Sequence, residues 1–137
     1  MCGRIRAVDR SRIAAIPAFA DLPEPELDEL AAAVHELAVA EGSTVVTVDD
    51  YGDSIYMVEE GTADVMNERG ETTETLGAGG TFGEIGLLLT GQRTATVVAR
   101  TPLQLLSLSG RDFERIRPRV PELERALRQL GLERAAR

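Results

Sequence analysis

The sequence predicts a mainly β fold with flanking helices, an antiparallel β-barrel or jelly roll of the double-stranded β-helix type. Between Ser43 and Leu108, short runs of β-forming residues follow one another closely and are separated by glycine-containing turns. On both sides of this region, apolar residues recur at helical spacing. This arrangement favours a sandwich or barrel over a parallel sheet.

The chain of 137 residues is long enough for one domain with a core and too short for two ordinary domains. Its content of 43% hydrophobic and 28% charged residues argues against disorder. We therefore expect a single domain over residues 1–137, with a frayed segment at 1–11, N-terminal helices over 12–42, the barrel over 43–108 and C-terminal helices over 109–137.

Charge and composition exclude several classes of protein. A net charge of −8 argues against nucleic-acid binding, which needs cations to displace counterions from phosphates. No span approaches the ~20 apolar residues of a transmembrane helix, so no membrane insertion is expected. Because Cys2 is the only cysteine, no internal disulfide can form, and a cytoplasmic location fits.

Two helical segments are predicted before the strands. The stretch RIAAIPAFADLP indicates a short helix broken at Pro17. The stretch PEPELDELAAAVHELAVA has helical spacing of its apolar residues, which are Leu27, Leu30, Ala31, Val34, Leu37 and Ala38. His35 is therefore expected on a helix surface.

The strand predictions follow from the short apolar runs. These runs are TVVTV, IYMV, ADVM, TTETL, ATVVA and LQLLSL. The turns between them are predicted at Tyr51-Gly52-Asp53, Glu60-Gly61, Arg69-Gly70 and Ala78-Gly79-Gly80.

Helices return after the last strand. Ser109 and Asp112 have the spacing of a capping box. Pro118 is expected to end that helix, and Pro121 suits the first turn of the next. The final helix has an apolar stripe of Leu123, Ala126, Leu127 and Leu130, with Leu132 near its edge. Gly131 weakens its outer end by ~1 kcal/mol relative to alanine.

The stretch FGEIGLLLTGQRTAT, between two predicted strands, has the chemistry of a binding site. Gly83 allows close approach of the backbone, and a short helix beginning near Glu84 offers unpaired N–H groups to an anion. Arg93 supplies a permanently charged planar group suited to phosphate. A carboxylate at Glu84 would repel phosphate unless it accepts a hydrogen bond from a hydroxyl of the same ligand. This pairing indicates a nucleotide whose ribose and phosphate lie close together.

The longer stretch FGEIGLLLTGQRTATV resembles the phosphate-binding cassette of the cyclic nucleotide-binding domain family. That family includes protein kinase A regulatory subunits, cyclic-nucleotide-gated channels and catabolite-activator-type regulators. The resemblance extends to IPAFADLPEPELDEL, YGDSIYMVEEGTADV and the terminal DFERI and PELERAL, and covers roughly residues 12 to 134. We refer to residues 82–96 as the cassette.

The resemblance implies a role for each cassette residue. Arg93 would pair with the cyclic phosphate, and Glu84 would accept a hydrogen bond from the ribose 2′-hydroxyl. Thr94 would contact phosphate or a syn guanine, and Ala95 would pack at the strand start. Backbone contacts are expected from Gly83, Ile85 and Gly86. In the family, the closing helix covers the base as a lid, and the candidates for that contact are Leu130, Leu132 and Arg134.

The implied function is a regulatory sensor that binds cyclic AMP, in preference to cyclic GMP, and moves its C-terminal helix. No catalysis, metal or cofactor beyond this ligand is expected, and the partners would be an effector or a second copy of the chain. A degenerate module that kept the fold and lost the ligand stays open as an alternative. It also stays open whether the chain is a free-standing protein or a piece of a channel, kinase or transporter. The initial methionine favours a free-standing protein.

Two further classes fit less well. A metal enzyme of the cupin type needs several histidines, and the chain has only His35. A complete transcription factor of the catabolite-activator type needs a helix-turn-helix domain, and few residues follow the lid stripe.

Overall fold

The computed structural model describes residues 8–47, 54–83 and 95–135, with side chains up to Leu132. The helices are α1 (Arg10–Ala14), α2 (Glu24–Ala33), α3 (Gly110–Ile116) and α4 (Pro121–Ala135), with 3-10 turns at Pro17–Phe19 and Arg117–Arg119. The strands are β1 (His35–Val39), β2 (Thr44–Val46), β3 (Ile55–Glu60), β4 (Ala63–Met66), β5 (Thr72–Leu76), β6 (Thr81–Phe82), β7 (Thr96–Ala99) and β8 (Leu103–Leu108).

The described strands form two four-stranded sheets with antiparallel pairing. The first sheet has the order β1-β8-β3-β6, and the second has the order β2-β7-β4-β5. This is the strand order of an eight-stranded jelly roll. The prediction of a mainly antiparallel β fold with flanking helices is confirmed, in the form of two sheets and not of a closed barrel.

The two middle strands of the first sheet, β8 and β3, bury apolar side chains on both faces. Since successive side chains of a strand point to opposite faces, Leu106 and Leu108 of β8 pack toward the helices, whereas Leu103 and Leu105 pack toward the second sheet. The helical cluster, on the first of these faces, includes Ile13, Phe19, Leu30, Phe113, Leu123 and Leu127. The intersheet cluster, on the other face, includes Val58, Ala63, Leu76, Phe82, Val97 and Ala99.

The prediction that helix continues through Ala38 is wrong. Helix α2 ends at Ala33, and Val34 has extended backbone angles (φ −81, ψ 157). Residues His35–Val39 form β1, which pairs with β8 from His35↔Ser107 to Val39↔Leu103. The run HELAVA contains good helix formers, but pairing along a whole strand outweighs these small local preferences. His35 is surface-exposed as expected, although on a strand.

The predicted strands after Ser43 are confirmed, apart from their ends and from β6, a strand of two residues that was missed. Gly61, Gly70 and Gly79 occupy the predicted turns with φ values of 96, 78 and 93. The turn expected at residues 51–53 lies outside the described residues.

The C-terminal helices begin where the sequence places them. The Ser109 hydroxyl accepts a hydrogen bond from the Asp112 N–H at 3.1 Å, which caps α3. Pro118 lies in the 3-10 turn after α3, and Pro121 begins α4. Helix α4 continues past Gly131 to Ala135. Among the described residues, no helix has both the length and the hydrophobicity needed to cross a lipid bilayer.

We expect Gly61→Ala to lower the free energy of unfolding by at least about 2 kcal/mol. Gly61 has a left-handed backbone, and an added methyl group would collide with the carbonyl oxygen of Pro102. Gly70→Ala is the matched control, because its backbone is also left-handed but nothing lies within 4 Å of an added methyl group. Only strain of about 1 kcal/mol is expected there. Equal losses for the two variants in urea denaturation would contradict this account.

Candidate functional site

The two ends of the cassette are anchored in opposite sheets. Thr81 and Phe82 form β6 and pair with Met57 and Tyr56 in the first sheet. After the cassette, Thr96 begins β7, which pairs with β4 and β2 in the second sheet. The chain therefore crosses from one sheet to the other over the length of the cassette.

The first anchor is rigid. The Phe82 side chain is buried, and its ring stacks on that of Tyr56 with the centroids 5.0 Å apart and the planes at 22°. Gly83 follows with φ 96, a conformation that strains any residue with a side chain. Strand β6 therefore ends in a left-handed glycine directly after this aromatic pair.

Of the seven predicted ligand-binding residues in the cassette, the structure describes two, Gly83 and Ala95. Gly83 lies at the exit from β6, and Ala95 is half-buried directly before β7. Residues Glu84, Ile85, Gly86, Arg93 and Thr94 lie outside the described residues, and their roles stay predictions.

Glu74 is a polar residue of this region that the sequence reasoning missed. It lies directly opposite Val65 in the β4–β5 pairing, and Val65 packs against the intersheet cluster. Residues opposite each other in a sheet share a face, so Glu74 lies on the face of the second sheet that is turned toward the first. The alternation in TTETL, with buried Leu76 two residues later, is the signal that could have revealed it.

Helix α4, the predicted lid, has its first half packed on the N-terminal helices. Leu123 and Leu127 are each 1% exposed within the helical cluster, as the apolar stripe predicts. Leu130 is half-buried against the same cluster, and Leu132 is 66% exposed. The backbone of Arg134 continues the helix. A contact of these last three residues with a ligand stays a prediction.

The junction between α3 and α4 is held by charge. The Arg117 guanidinium donates two hydrogen bonds to the Glu124 carboxylate, at 2.8 and 2.9 Å, and one to Glu114 at 2.7 Å. These bonds from Arg117, together with those from Arg128, lower the pKa of Glu124 from its ordinary value of 4.5 to about 2. The carboxylate therefore stays charged at neutral pH and ties α4 to the turn before it.

A separate polar groove of about 360 Å³ is lined by Arg12, Glu36, Glu59, Glu60 and Gln104. Arg12 already bonds Glu59 at 2.6 and 2.9 Å and Glu36 at 2.8 Å. With three carboxylates and one cation, the groove repels a phosphate, and Arg12 instead fixes α1 to the first sheet. The part of the chain that is described contains no set of His, Cys, Asp or Glu side chains placed to hold a metal ion.

Comparison with known families identifies the same family that the cassette sequence resembles. The model of the cyclic nucleotide-binding domain family matches residues 36–119, which is more than half of the chain and includes the whole cassette. The chain belongs to the cyclic nucleotide-binding domain family.

Relatives of this domain include a cyclic nucleotide-gated potassium channel of Rhizobium etli, 34% identical over 122 residues, and a cAMP-dependent protein kinase regulatory subunit of Yarrowia lipolytica, 38% identical over 103 residues. The matches cover 89% and 74% of this chain. They cover 34% and 27% of the two relatives, so the chain spans about a third of the length of the curated proteins it matches.

The domain also resembles solved structures. The regulatory domain of Toxoplasma gondii PKA, crystallised with cAMP, superimposes with a TM-score of 0.81 at 22% identity. The match covers 93% of this chain and 49% of the other. At this identity the likeness concerns the fold alone.

Acid should destabilise this cyclic nucleotide-binding domain partly through Glu124. A carboxylate with a lowered pKa contributes stability above its unfolded pKa and loses it as pH falls through the folded value. We therefore expect Glu124→Gln to lower the melting temperature at pH 7, and the gap to wild type to close between pH 4.5 and about 2. Because the pair is partly exposed, the effect should be modest.

The control for this experiment is Glu114→Gln, which removes the more exposed partner of the same guanidinium. A gap between wild type and Glu124→Gln that is constant from pH 7 to pH 2 would show that Glu124 acts through packing and not through its charge.

Proposed function

We propose that this domain binds a cyclic nucleotide, cyclic AMP in preference to cyclic GMP, and that α4 responds to the bound ligand. It acts as a single regulatory domain in the cytoplasm, without catalysis, and passes the signal to an effector or to a second copy of the chain. The observation that carries the proposal is the intact cassette within the family match, since Gly83, Glu84 and Arg93 all lie in residues 36–119.

The chemistry of the cassette supports this ligand. Arg93 provides two parallel donors for phosphate oxygens, and charge-assisted bonds of this kind contribute about 1.5–3 kcal/mol each. Glu84 provides an acceptor for a ribose hydroxyl next to that phosphate. A cyclic nucleotide presents both groups on one rigid ring system.

The relatives support the choice of ligand and leave the effector open. One relative is named a cAMP-dependent regulatory subunit, and a structural neighbour was crystallised with cAMP. Another relative is named a potassium channel. The same domain therefore suits more than one kind of effector, which lies outside the matched region.

Arg93→Ala should weaken binding of both cyclic nucleotides at least tenfold, or about 1.4 kcal/mol, because it removes the cation that faces the phosphate. Calorimetric titration of cyclic AMP and cyclic GMP measures this loss. The matched control is Arg69→Ala, an 85% exposed arginine in the β4–β5 turn, which should leave affinity unchanged.

At a hundred times its dissociation constant, the nucleotide should also stabilise the wild type by about 2.7 kcal/mol. Neither heat nor stabilisation with either nucleotide would identify a degenerate, non-binding module.

The role of Glu84 can be separated from that of Arg93 with cyclic AMP that lacks the 2′-hydroxyl. We expect the wild type to bind 2′-deoxy cyclic AMP at least about tenfold more weakly than cyclic AMP, because one charge-assisted hydrogen bond is lost. Glu84→Ala should remove most of this difference, since the acceptor is already gone. A difference that persists in Glu84→Ala would mean that another group recognises the hydroxyl.

A further inference from the structure

Helix α4 begins without a cap of its own. The residue before it is Val120, fully buried, whose apolar side chain cannot accept a hydrogen bond. In the first turn, Pro121 has no N–H, and the N–H of Glu124 donates to the Val120 carbonyl at 3.1 Å. The N–H groups of Glu122 and Leu123 are left to find acceptors elsewhere.

Glu26, in the first turn of α2, supplies those acceptors. Its Oε1 accepts a hydrogen bond from the Leu123 N–H at 2.8 Å, and its Oε2 accepts one from the Glu122 N–H at 3.2 Å. The residue is only 5% exposed. A carboxylate at this depth needs such partners, and the positive end of the helix dipole favours its charge. Glu26 is therefore an N-cap from 96 residues earlier in the chain.

The two halves of α4 differ in how firmly they are held. Its base, Pro121–Leu127, has the Glu26 cap and two fully buried leucines, Leu123 and Leu127. A second tie joins α2 to the segment before the base, from Glu29 to Arg119 at 3.0 Å. The tip beyond Leu127 has Leu130 half-buried and Leu132 mostly exposed. Moving the base would open the core and strip two N–H groups of their acceptor, whereas moving the tip would uncover the half-buried Leu130 and leave the two fully buried leucines in place.

We propose that Glu26 is a positioning residue for the closing helix: its remote cap fixes the base of α4 on α2, so that the response to nucleotide is confined to the tip. The part about nucleotide rests on the proposed function. A ligand can shift only an equilibrium between states that it binds differently, and the tip is the part of α4 that can change state without unfolding the helical cluster.

Amide hydrogen exchange, measured by NMR on the chain without nucleotide, tests the cap. Glu26→Gln keeps the shape of the side chain but replaces one acceptor oxygen with an NH₂ group that faces an N–H donor. We expect it to speed exchange at Glu122 or Leu123 by at least about tenfold, the equivalent of 1.4 kcal/mol. Glu24→Gln, in the same first turn of α2, is the matched control, because its exposed carboxylate pairs with Arg10 of α1 and not with α4, and it should leave both rates within about twofold of wild type.

Exchange at Leu105 and Leu106 in β8 distinguishes a local cap on α4 from a contribution of Glu26 to global stability. An equal acceleration at these core amides in Glu26→Gln would mean that Glu26 adds only global stability, which would overturn the proposal. Unchanged rates at Glu122 and Leu123 in that variant would overturn it as well.

Addition of cyclic AMP to the wild type tests whether the base of α4 stays in place when the nucleotide binds. We expect the amides of Glu122 and Leu123 to keep their protection while amides beyond Gly131 change. Loss of protection at Glu122 and Leu123 would show that the base is released and would overturn the proposal. If cyclic AMP changes no amide while Glu26→Gln behaves as expected, the proposed function and the ligand-driven part of this inference both fall, and the remote cap is supported.

Discussion

The structure depends on β8 and β3, the two middle strands of the first sheet, which are buried on both faces. In β8 and β3, neighbouring residues point to opposite sides, so Leu105 and Val58 pack in the intersheet cluster, while Leu106 and Met57 pack in the helical cluster. All four are completely buried. The first sheet is thus the middle layer between the helices and the second sheet, and burial on both sides makes it the part of the molecule that is hardest to deform.

The candidate site is attached to this layer. The cassette leaves from β6, at one edge of the first sheet, and the base of α4 packs in the helical cluster on the face turned away from the second sheet. The start of the cassette and the base of α4 are therefore attached to the same layer. In such an arrangement, a movement at the tip of α4 is a movement relative to the cassette, because neither the sheet nor the capped base of the helix yields easily.

Some of the acidic residues of the chain form ion pairs that connect its elements. Carboxylates of α2 pair with Arg10 and Arg119, those of β1 and β3 pair with Arg12, and those of α3 and α4 pair with Arg117. Each of these pairs joins one element to another. The net charge of −8 is the excess of the 23 acidic residues over the 15 basic ones, and it does not argue against a small anionic ligand held by one arginine.

The sequence by itself determined the elements whose signals are local. The glycine turns, the Ser109 cap, the start of α4 at Pro121 and the spacing of Glu84 and Arg93 can all be read from residues close together in the chain. Tertiary structure alone decided two other features. His35–Val39 became a strand because β8 offers it a complete set of partners, although HELAVA favours helix. Glu26 caps a helix 96 residues away because packing brings α2 to α4. In each of these cases the deciding partner is distant in the chain, and no local pattern records it.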